Sequence, residues 1–214
     1  MKINEGGTPM HTSDYLRILI EEIHSAVIAT IGPDGHPQTR TIAMMLWDDQ
    51  GVYFLTAKGK EFYTQLMEQG YIALSATKAK YAVSLRGKIR NIGSEKLDEI
   101  FERNPYMKGI YPENTRTALE VFCLYEAEGE YFDISDPSHI FRDQIHIGQD
   151  IHSQYGYWIE ASCTGCGACL AACPQKCIDL FRTPAVIDQH HCLHCGRCVP
   201  VCPVKAVTKG SKNS

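Results

Sequence analysis

The sequence predicts a β-barrel with flanking helices, followed by a small α+β domain. The chain has 214 residues, which is long enough for one to two domains. About six strand-like runs follow one another before residue 135, and strands in series favour a barrel. Nine of the ten cysteines lie between Cys163 and Cys202, and this concentration indicates a second, separate domain.

The elements of the first domain follow from hydrophobic spacing and turn residues. After Thr12, apolar residues recur at helical spacing from Tyr15 to Ile23. Glu21 and Glu22 fall on the opposite side, so the pattern predicts an amphipathic helix. The further predicted elements are strands at 26–31, 38–47 and 52–56, a helix through Leu66 after a turn at 58–60, strands at 71–76 and 81–89, a helix at 94–103 that stops near Pro105, and a hairpin of 119–125 with 131–134.

The domain limits follow from changes in this pattern. We expect the barrel in residues 1–134, a connector in 135–156 and the cysteine-bearing domain in 157–214. The connector contains an Asp-Pro pair and three histidines without a regular hydrophobic period, which is typical of a linking segment.

Composition and charge exclude several classes of protein. The chain has 21 Lys and Arg against 25 Asp and Glu, so it lacks the basic excess of a nucleic-acid-binding surface. No apolar run approaches the ~18 residues that span a bilayer, and the first residues do not form a signal peptide. We therefore expect a cytoplasmic protein that binds neither nucleic acid nor membrane. In that reducing compartment, dense cysteines favour metal or cluster ligation over disulfides.

The cysteine-rich segment is an internal duplication. Both halves have the pattern CxxCxxCxxxCP at a constant offset of 29 residues, and each follows a short apolar strand, at 157–159 and 185–187. Three thiolates separated by tight turns can bind one iron–sulfur cubane, while the fourth points away from it and serves the other cluster. The sequence therefore predicts two [4Fe-4S] clusters with crossed ligands. The first set is Cys163, Cys166, Cys169 and Cys202, and the second set is Cys192, Cys195, Cys198 and Cys173.

Structural zinc is the alternative for these cysteines. Zinc motifs pair two CxxC units across a longer loop, and a third cysteine three residues on exceeds four-coordination, so the spacing favours clusters. Gly165, Gly167 and Gly196 allow backbone N–H groups to approach the sulfur atoms. Residues 157–208 resemble a bacterial two-cluster ferredoxin, which implies a small ferredoxin-like fold that holds two [4Fe-4S] clusters.

Two cysteines and three histidines fall outside these ligand sets. We expect Cys177 and Cys123 to be small buried residues rather than ligands. With eight thiolates present, His190, His191 and His194 are expected to be surface or packing residues near the second motif.

A second group of polar residues lies in the barrel segment. Arg40 is in one strand, and Thr56 ends the neighbouring strand just before Lys58, Lys60 and a helix start. A guanidinium binds phosphate bidentately, lysine adds charge, threonine donates a hydroxyl, and a helix N-terminus offers free N–H groups. This order indicates a phosphate site, and a solvated strand arginine beside an exposed basic turn is the alternative.

The order of the segments PDGHPQTRTI, GVYFLTAKGKEFYTQL and LRGKIRNIG resembles the FMN-binding split barrel of the pyridoxamine 5'-phosphate oxidase superfamily, over about residues 12–134. The resemblance implies a Greek-key split barrel in which a strand arginine and a threonine sixteen residues later contact FMN, the separation of Arg40 and Thr56. Lys58 and Lys60 take the place of the family's Arg-Lys pair. The residues that the resemblance assigns to FMN binding are Arg40, Thr41, Ile42, Leu55, Thr56, Lys58 and Lys60.

The substrate-binding residues of true pyridoxamine phosphate oxidases are missing. Met45 stands where that family has a lysine, and the region of its Tyr, Arg and Ser offers Ile100, Asn104 and Lys108. No Arg-x-His occurs anywhere in the chain. We therefore expect an oxidoreductase that is not a true pyridoxamine phosphate oxidase.

The two cofactor signatures together predict a function. Clusters transfer one electron at a time and most organic reductions need two, so a flavin is the natural junction between them. We predict an FMN-dependent oxidoreductase, acting as a reductase, that passes electrons between two [4Fe-4S] clusters and FMN to reduce or oxidise a small organic substrate. No protein nucleophile is required, and no catalytic side chain is assigned. The alternative is an electron-transfer or redox-sensing module that relays electrons to a protein partner.

The expected partners follow from the same comparison. In the resembled barrel family the flavin lies between two subunits, which implies a homodimer. A small-molecule acceptor and a redox partner such as a ferredoxin complete the expected interactions.

Overall fold

The computed structural model describes residues 10–148 and 153–213, which form two compact units. One unit comprises residues 10–130 and 145–148, and the other comprises residues 131–144 and 153–213. Within those ranges, no helix combines the length and apolar character needed to cross a bilayer. The predicted lack of a signal peptide concerns residues 1–9, which lie outside the described residues, as do residues 149–152 of the predicted connector.

The chain begins with the predicted amphipathic helix. Helix α1, Thr12–Arg17, continues as a π-helical turn at Ile18–Ile23. The predicted apolar face is buried at Tyr15 and Leu19, while Glu21 is exposed. Amphipathic spacing therefore identified this element correctly.

Six strands close into the predicted barrel. Their order is β3-β2-β1-β4-β5-β6, and β3 also pairs with β6, so that the sheet returns on itself. The phenyl ring of Phe54 stacks on that of Phe122 inside the barrel, with centroids 5.7 Å apart. The strands are β1 Ser25–Ile31, β2 Pro37–Asp48, β3 Gly51–Ala57, β4 Tyr71–Lys78, β5 Tyr81–Asn91 and β6 Leu119–Asp133.

Short helices flank the barrel. Helix α2 packs Phe62 and Leu66 inward and ends at Gly70, whose φ of 59° is a left-handed cap that glycine adopts without strain. The predicted helix at 94–103 is shorter than expected, because residues before Leu97 form a turn. The helices are α2 Glu61–Gln69, α3 Leu97–Arg103 and α4 Met107–Ile110, followed by a 3-10 helix at Glu113–Ala118.

The predicted hairpin of 119–125 with 131–134 is wrong, because β6 runs unbroken from Leu119 to Asp133. Gly129 is not a turn residue. A Cβ at this position would collide with the carbonyl oxygen of Ser84 on β5, so the glycine is required by close strand packing.

The segment predicted as a connector contains a strand. Strand β7, Phe141–Ile147, lies beside β6 in the sheet, with Phe141, Ile145 and Ile147 buried. A turn at Asp136, whose carboxylate accepts a hydrogen bond from the backbone N–H of Ser138, separates the two strands. The domain limits themselves stay a prediction.

The cysteine-bearing unit has the small α+β fold expected from the sequence. Strand β8, Ser153–Ile159, forms an antiparallel pair with β11, Val207–Asn213. Strand β9, Ile178–Asp179, pairs with β10, Val186–Ile187. Helix α5, Ala168–Ala172, lies within the first cysteine motif. The short strand predicted before each motif is therefore present in both halves.

Candidate cofactor sites

The eight cysteines of the duplicated motif line two cavities. Each cavity has about 330 Å³ of space that protein atoms do not fill, part of which is open to solvent. The fold brings together the two crossed sets that the sequence predicts, and iron binding by these sets stays a prediction. The first cavity is lined by Cys163, Cys166, Cys169 and Cys202, and the second cavity by Cys173, Cys192, Cys195 and Cys198.

The duplication extends to the backbone. Left-handed residues recur at the 29-residue offset, and one of these pairs donates its backbone N–H groups to sulfur. Gly165 N donates to Cys163 Sγ and His194 N donates to Cys192 Sγ, each at 3.4 Å. Such donors stabilise negative charge on a metal-bound thiolate. The pairs and their φ angles are Gly165 (70°) with His194 (54°), Gly167 (78°) with Gly196 (73°), and Lys176 (52°) with Lys205 (54°).

The donor sets fit a polynuclear cluster better than a zinc ion. Across residues 10–148 and 153–213, no three His, Cys, Asp or Glu side chains converge closely enough to hold a single metal ion. A zinc ion needs its thiolate ligands within about 2.3 Å of one point, whereas a cubane separates them. All-thiolate donors around a cavity are the usual ligands of [4Fe-4S] clusters.

Cys177 is buried, as expected, but it also lines the second cavity. Its Sγ lies 3.6 Å from Sγ of Cys173, so its thiol contacts one of the predicted ligands. This contact was not predicted from the sequence, although Cys177 follows Cys173 by four residues. Cys123 is fully buried in the barrel, and burial raises the pKa of its thiol.

The three histidines beside the second motif are packing residues. Nδ1 of His190 lies 3.1 Å from the Arg142 carbonyl, and Nδ1 of His191 lies 2.8 Å from the Ile140 carbonyl. Because a carbonyl only accepts, Nδ1 carries the proton in both rings. His194 differs, since its Nδ1 accepts a hydrogen bond from Arg142 Nη1 at 2.8 Å. Burial, followed by the charges of Arg142 and Lys209, lowers the pKa of His194 to about 4.

In the barrel, the Arg40 guanidinium is held by neighbouring side chains rather than solvated. Its Nη1 donates to Thr30 Oγ1 at 2.7 Å, its Nη2 donates to Gln38 Oε1 at 3.2 Å, and its Cζ lies 4.4 Å from the Phe62 ring centre. Gln65 on α2 completes the network: its Oε1 accepts from Thr30 at 2.6 Å and its Nε2 donates to Gln38 at 2.9 Å. Arg40 is therefore fixed between β1, β2 and α2.

Thr56 presents an unsatisfied hydroxyl. The residue is 2% exposed, and among the described residues its Oγ1 has no hydrogen-bond partner. A buried hydroxyl without a partner costs ~1–3 kcal/mol. This oxygen is thus an open position for a ligand atom, and it fits the flavin contact predicted for Thr56.

The lysines near the turn into α2 have different surroundings. Lys58 Nζ lies 3.3 Å from Glu120 Oε1, while Lys60 is exposed at the N-cap of α2. Glu120 also accepts hydrogen bonds from Tyr63 Oη and Asn91 Nδ2, each at 2.6 Å. Hydrogen bonds from Tyr63 and Asn91, and then Lys58, hold the pKa of Glu120 below its ordinary value.

The remaining predicted flavin residues lie on the same two strands. Thr41 is exposed and Ile42 is half-buried on β2, while Leu55 is 7% exposed on β3. In the described contacts, Arg40 belongs to the network with α2 and Lys58 to the cluster around Glu120, so the structure does not join all seven residues by direct contact.

Two family models match the chain, and the larger covers more than half of it. Residues 13–130 match the family described as pyridoxamine 5'-phosphate oxidase. The chain belongs to this family. Residues 162–206 match the 4Fe-4S dicluster domain, so an iron–sulfur domain follows the pyridoxamine 5'-phosphate oxidase barrel. A barrel of a flavin-binding family joined to an iron–sulfur domain makes the chain a redox protein.

Individual relatives agree with the family match. A pyridoxine/pyridoxamine 5'-phosphate oxidase of Bacteroides thetaiotaomicron is 29% identical over 93 residues, 42% of this chain. The alignment spans only 44% of that relative's length. A NimC/NimA family protein of Clostridium acetobutylicum superposes with a TM-score of 0.53 at 17% identity, over 64% of this chain and 93% of its own, and thus shares the barrel fold. PhzG of Burkholderia lata 383 gives a TM-score of 0.46 at 18% identity, over 64% of this chain and 87% of its own.

Positions where pyridoxamine 5'-phosphate oxidases bind substrate have structural roles in this chain. Met45 and Ile100 are buried in one hydrophobic cluster. Asn104 Nδ2 donates to the Met45 carbonyl at 3.1 Å and to the Ile100 carbonyl at 2.9 Å. These side chains bind each other's segments rather than an anion, and Lys108 is exposed.

Two sets of polar residues in this family member were not predicted from its sequence. The first holds Arg40, and its signal was a glutamine on the apolar face of α2, at Gln65 between Phe62 and Leu66. The second surrounds Glu120 and joins three separate segments, for which the sequence offers no local signal. The missed residues are Thr30, Gln38, Gln65, Tyr63, Asn91 and Glu120.

Proposed function

We propose that the protein is an FMN-dependent reductase in which electrons pass between two [4Fe-4S] clusters and FMN, and from there to a small organic substrate. The observation that carries this proposal is the pair of four-cysteine cavities in a chain whose barrel belongs to a flavin-binding family. Carriers of electrons rarely need a flavin pocket in addition to clusters, so the combination favours an enzyme.

The chain's own residues bind and orient the cofactors in this proposal. Each cavity supplies four thiolates, and left-handed N–H donors support their negative charge. Arg40 and the N-terminal turn of α2 attract the FMN phosphate, and the Thr56 hydroxyl gains the partner it lacks. Bound FMN supplies exchange between one-electron and two-electron chemistry.

The substrate differs from that of a pyridoxamine phosphate oxidase. With Met45 and Ile100 in the core and Asn104 bound to backbone, these positions offer no cation for a vitamin phosphate. The proposed substrate is therefore a small organic acceptor without that phosphate, and the proposed assembly is a homodimer with flavin at the subunit interface.

One observation favours the second candidate function, an electron-transfer module. Cys166 of the first cavity and Cys195 of the second are exposed, and Phe181 in the same unit is fully exposed. An accessible cluster edge suits electron exchange with a redox partner such as a ferredoxin.

Anaerobic purification with iron, sulfide and flavin counts tests the cofactors. We expect about eight irons and one FMN per chain, and bleaching of the visible absorption by dithionite. Clusters without stoichiometric flavin, or zinc in place of iron, contradict the proposal. Light scattering of the FMN-bound protein checks the dimer, which a flavin-bound monomer contradicts.

Oxidation of the dithionite-reduced protein, freed of excess dithionite, separates the two functions. A panel of small organic acceptors is compared with oxidised ferredoxin, and the rate of reoxidation is followed by absorbance. Rapid reoxidation by at least one small acceptor supports the reductase. Reoxidation by ferredoxin alone refutes it in favour of the relay.

A further inference from the structure

The two cysteine cavities occupy equivalent places in the duplication but have different surroundings. The offset of 29 residues pairs each position of one half with a position of the other. At three pairs, a polar or charged residue lines the second cavity or donates to one of its cysteines, where the equivalent residue of the other half is small. These pairs, with the residue of the second cavity named first, are His194 and Gly165, Arg197 and Ala168, and Cys177 and Ala206.

His194 fixes a positive charge near the second cavity. Arg142 Nη1 donates to His194 Nδ1 at 2.8 Å, and the backbone N–H of His194 donates to Cys192 Sγ at 3.4 Å. The Arg142 Cζ also lies 5.0 Å from the ring centre of Phe132. A guanidinium remains charged at every working pH, so this cation is permanent. Gly165, the equivalent of His194, has no side chain with which to position one.

Cys177 adds a thiol donor to the same cavity. Its Sγ lies 3.6 Å from Cys173 Sγ, and the residue is 9% exposed. An iron-bound thiolate has no proton to give, so Cys177 is the donor of this pair. Beside the first cavity, the equivalent Ala206 offers only its backbone N–H, which donates to Cys202 Sγ at 3.2 Å.

The charged side chains also make the surroundings of the second cavity more positive than those of the first. Arg197 lies in its wall, whereas the described residues that line the first cavity include no charged side chain. Asp188 opposes Arg197, and both side chains are exposed, so the partly buried Arg142 decides the balance. The Asp188 carboxylate accepts a hydrogen bond from the backbone N–H of His190 at 3.0 Å.

We propose that Arg142, His194 and Cys177 give the cluster in the second cavity a higher reduction potential than the cluster in the first. Cations and hydrogen-bond donors near the sulfur atoms favour the reduced cluster, which carries one more negative charge. This inference rests on the proposed function, because it needs a [4Fe-4S] cluster in each cavity. Each cluster gains one electron from a low-potential donor such as dithionite, with no bond made or broken, and the first electron resides in the second cavity.

A redox titration followed by electron paramagnetic resonance tests this order in the full-length protein with both clusters loaded. We expect two potentials, the higher one belonging to the second cavity. Cys169→Ser and Cys198→Ser, equivalent substitutions in the two cavities, assign the signals. An altered or lost signal identifies its own cavity, so incomplete loading of either variant still gives the assignment. Equal potentials, or a higher potential in the first cavity, overturn the inference.

Arg142→Gln tests the cause. We expect the reduction potential of the second cluster to fall by ~59 mV, which is a tenfold change in the equilibrium constant for one electron. The potential of the first cluster should not change. Arg142→Lys keeps the charge, and we expect it to retain most of the potential. A shift in the reduction potentials of both clusters, or of neither, contradicts the role assigned to Arg142.

Cys177→Ala provides an independent variant, because alanine is the residue already present at the equivalent position 206. We expect a smaller fall in the second potential alone, and an unchanged second potential removes Cys177 from the inference. An iron count of about four or zero in the unsubstituted protein instead refutes the proposed function. Eight irons with equal potentials refute only the inference.

Discussion

The cysteine cavities and the barrel site differ in how far along the chain their residues come from. Three of the four cysteines of the first cavity lie within residues 163–169, and the same holds for 192–198 in the second. In the barrel, Tyr63 and Glu120 are 57 residues apart, and Thr30 and Gln65 are 35 apart. A site made by local spacing depends on few residues, whereas a site made by distant partners depends on the whole barrel.

The largest expected effect that tests this difference between the two sites is the loss of one cysteine ligand. In Cys169→Ala, the first cavity keeps three thiolates, and we expect the iron content to fall from about eight to about four per chain while bound flavin is unchanged. Iron and sulfide assays with a flavin count measure this. Cys123→Ala removes a buried cysteine outside both sets, and should retain all the iron. Equal iron loss in the two variants would contradict the assigned ligands.

Removing the Arg40 guanidinium should affect only the barrel. A charge-assisted hydrogen bond contributes ~1.5–3 kcal/mol, so we expect Arg40→Gln to weaken FMN binding by about 10- to 100-fold, measured by flavin fluorescence titration of the flavin-depleted protein. Iron content should not change.

Arg86→Gln is the matched control for this prediction, because Arg86 is an exposed barrel arginine paired with Glu128 at 2.6 Å. It should bind FMN as the unsubstituted protein does. Flavin affinity that falls equally in both variants would attribute the effect to net charge rather than to position 40.

Thr56→Val should separate binding from stability. Because the hydroxyl has no partner among the described residues, its removal should stabilise the flavin-free protein by ~1–3 kcal/mol in urea unfolding, yet weaken FMN binding. Thr30→Val removes a hydroxyl that both donates and accepts, so it should destabilise the protein. A destabilised Thr56→Val would show that the hydroxyl is already satisfied without flavin.

The smallest expected effect concerns pH. The pKa of Glu120 is lowered in the folded protein, so its contribution to stability is complete above the ordinary value of 4.5 and is lost as the pH falls through the folded pKa. Thermal unfolding of Glu120→Gln should therefore depend less on pH below 4.5 than that of the unsubstituted protein. Parallel curves for the two proteins would contradict this role.

The same contrast explains what the sequence could predict. The crossed cysteine sets follow from spacing alone, because the motif fixes its own turns. The predicted hairpin of 119–125 with 131–134 left Gly129 between its strands, and only the approach of Ser84 explains this glycine. The buried residues of strand β7 do not alternate regularly along the chain, so no strand was predicted within the connector. The partners of Glu120 meet only when three distant segments fold together, so no local pattern indicates them.

The exchange of the fourth cysteine between halves has a consequence for biosynthesis. The first cavity lacks one wall until Cys202 has been made, and the second takes Cys173 from the earlier half. If each cavity holds a cluster as proposed, neither half supplies all four ligands, so cofactor delivery in the cell would follow the synthesis of both repeats. In the proposed function the duplicated halves therefore depend on each other, and a chain cut between them would assemble neither inorganic core.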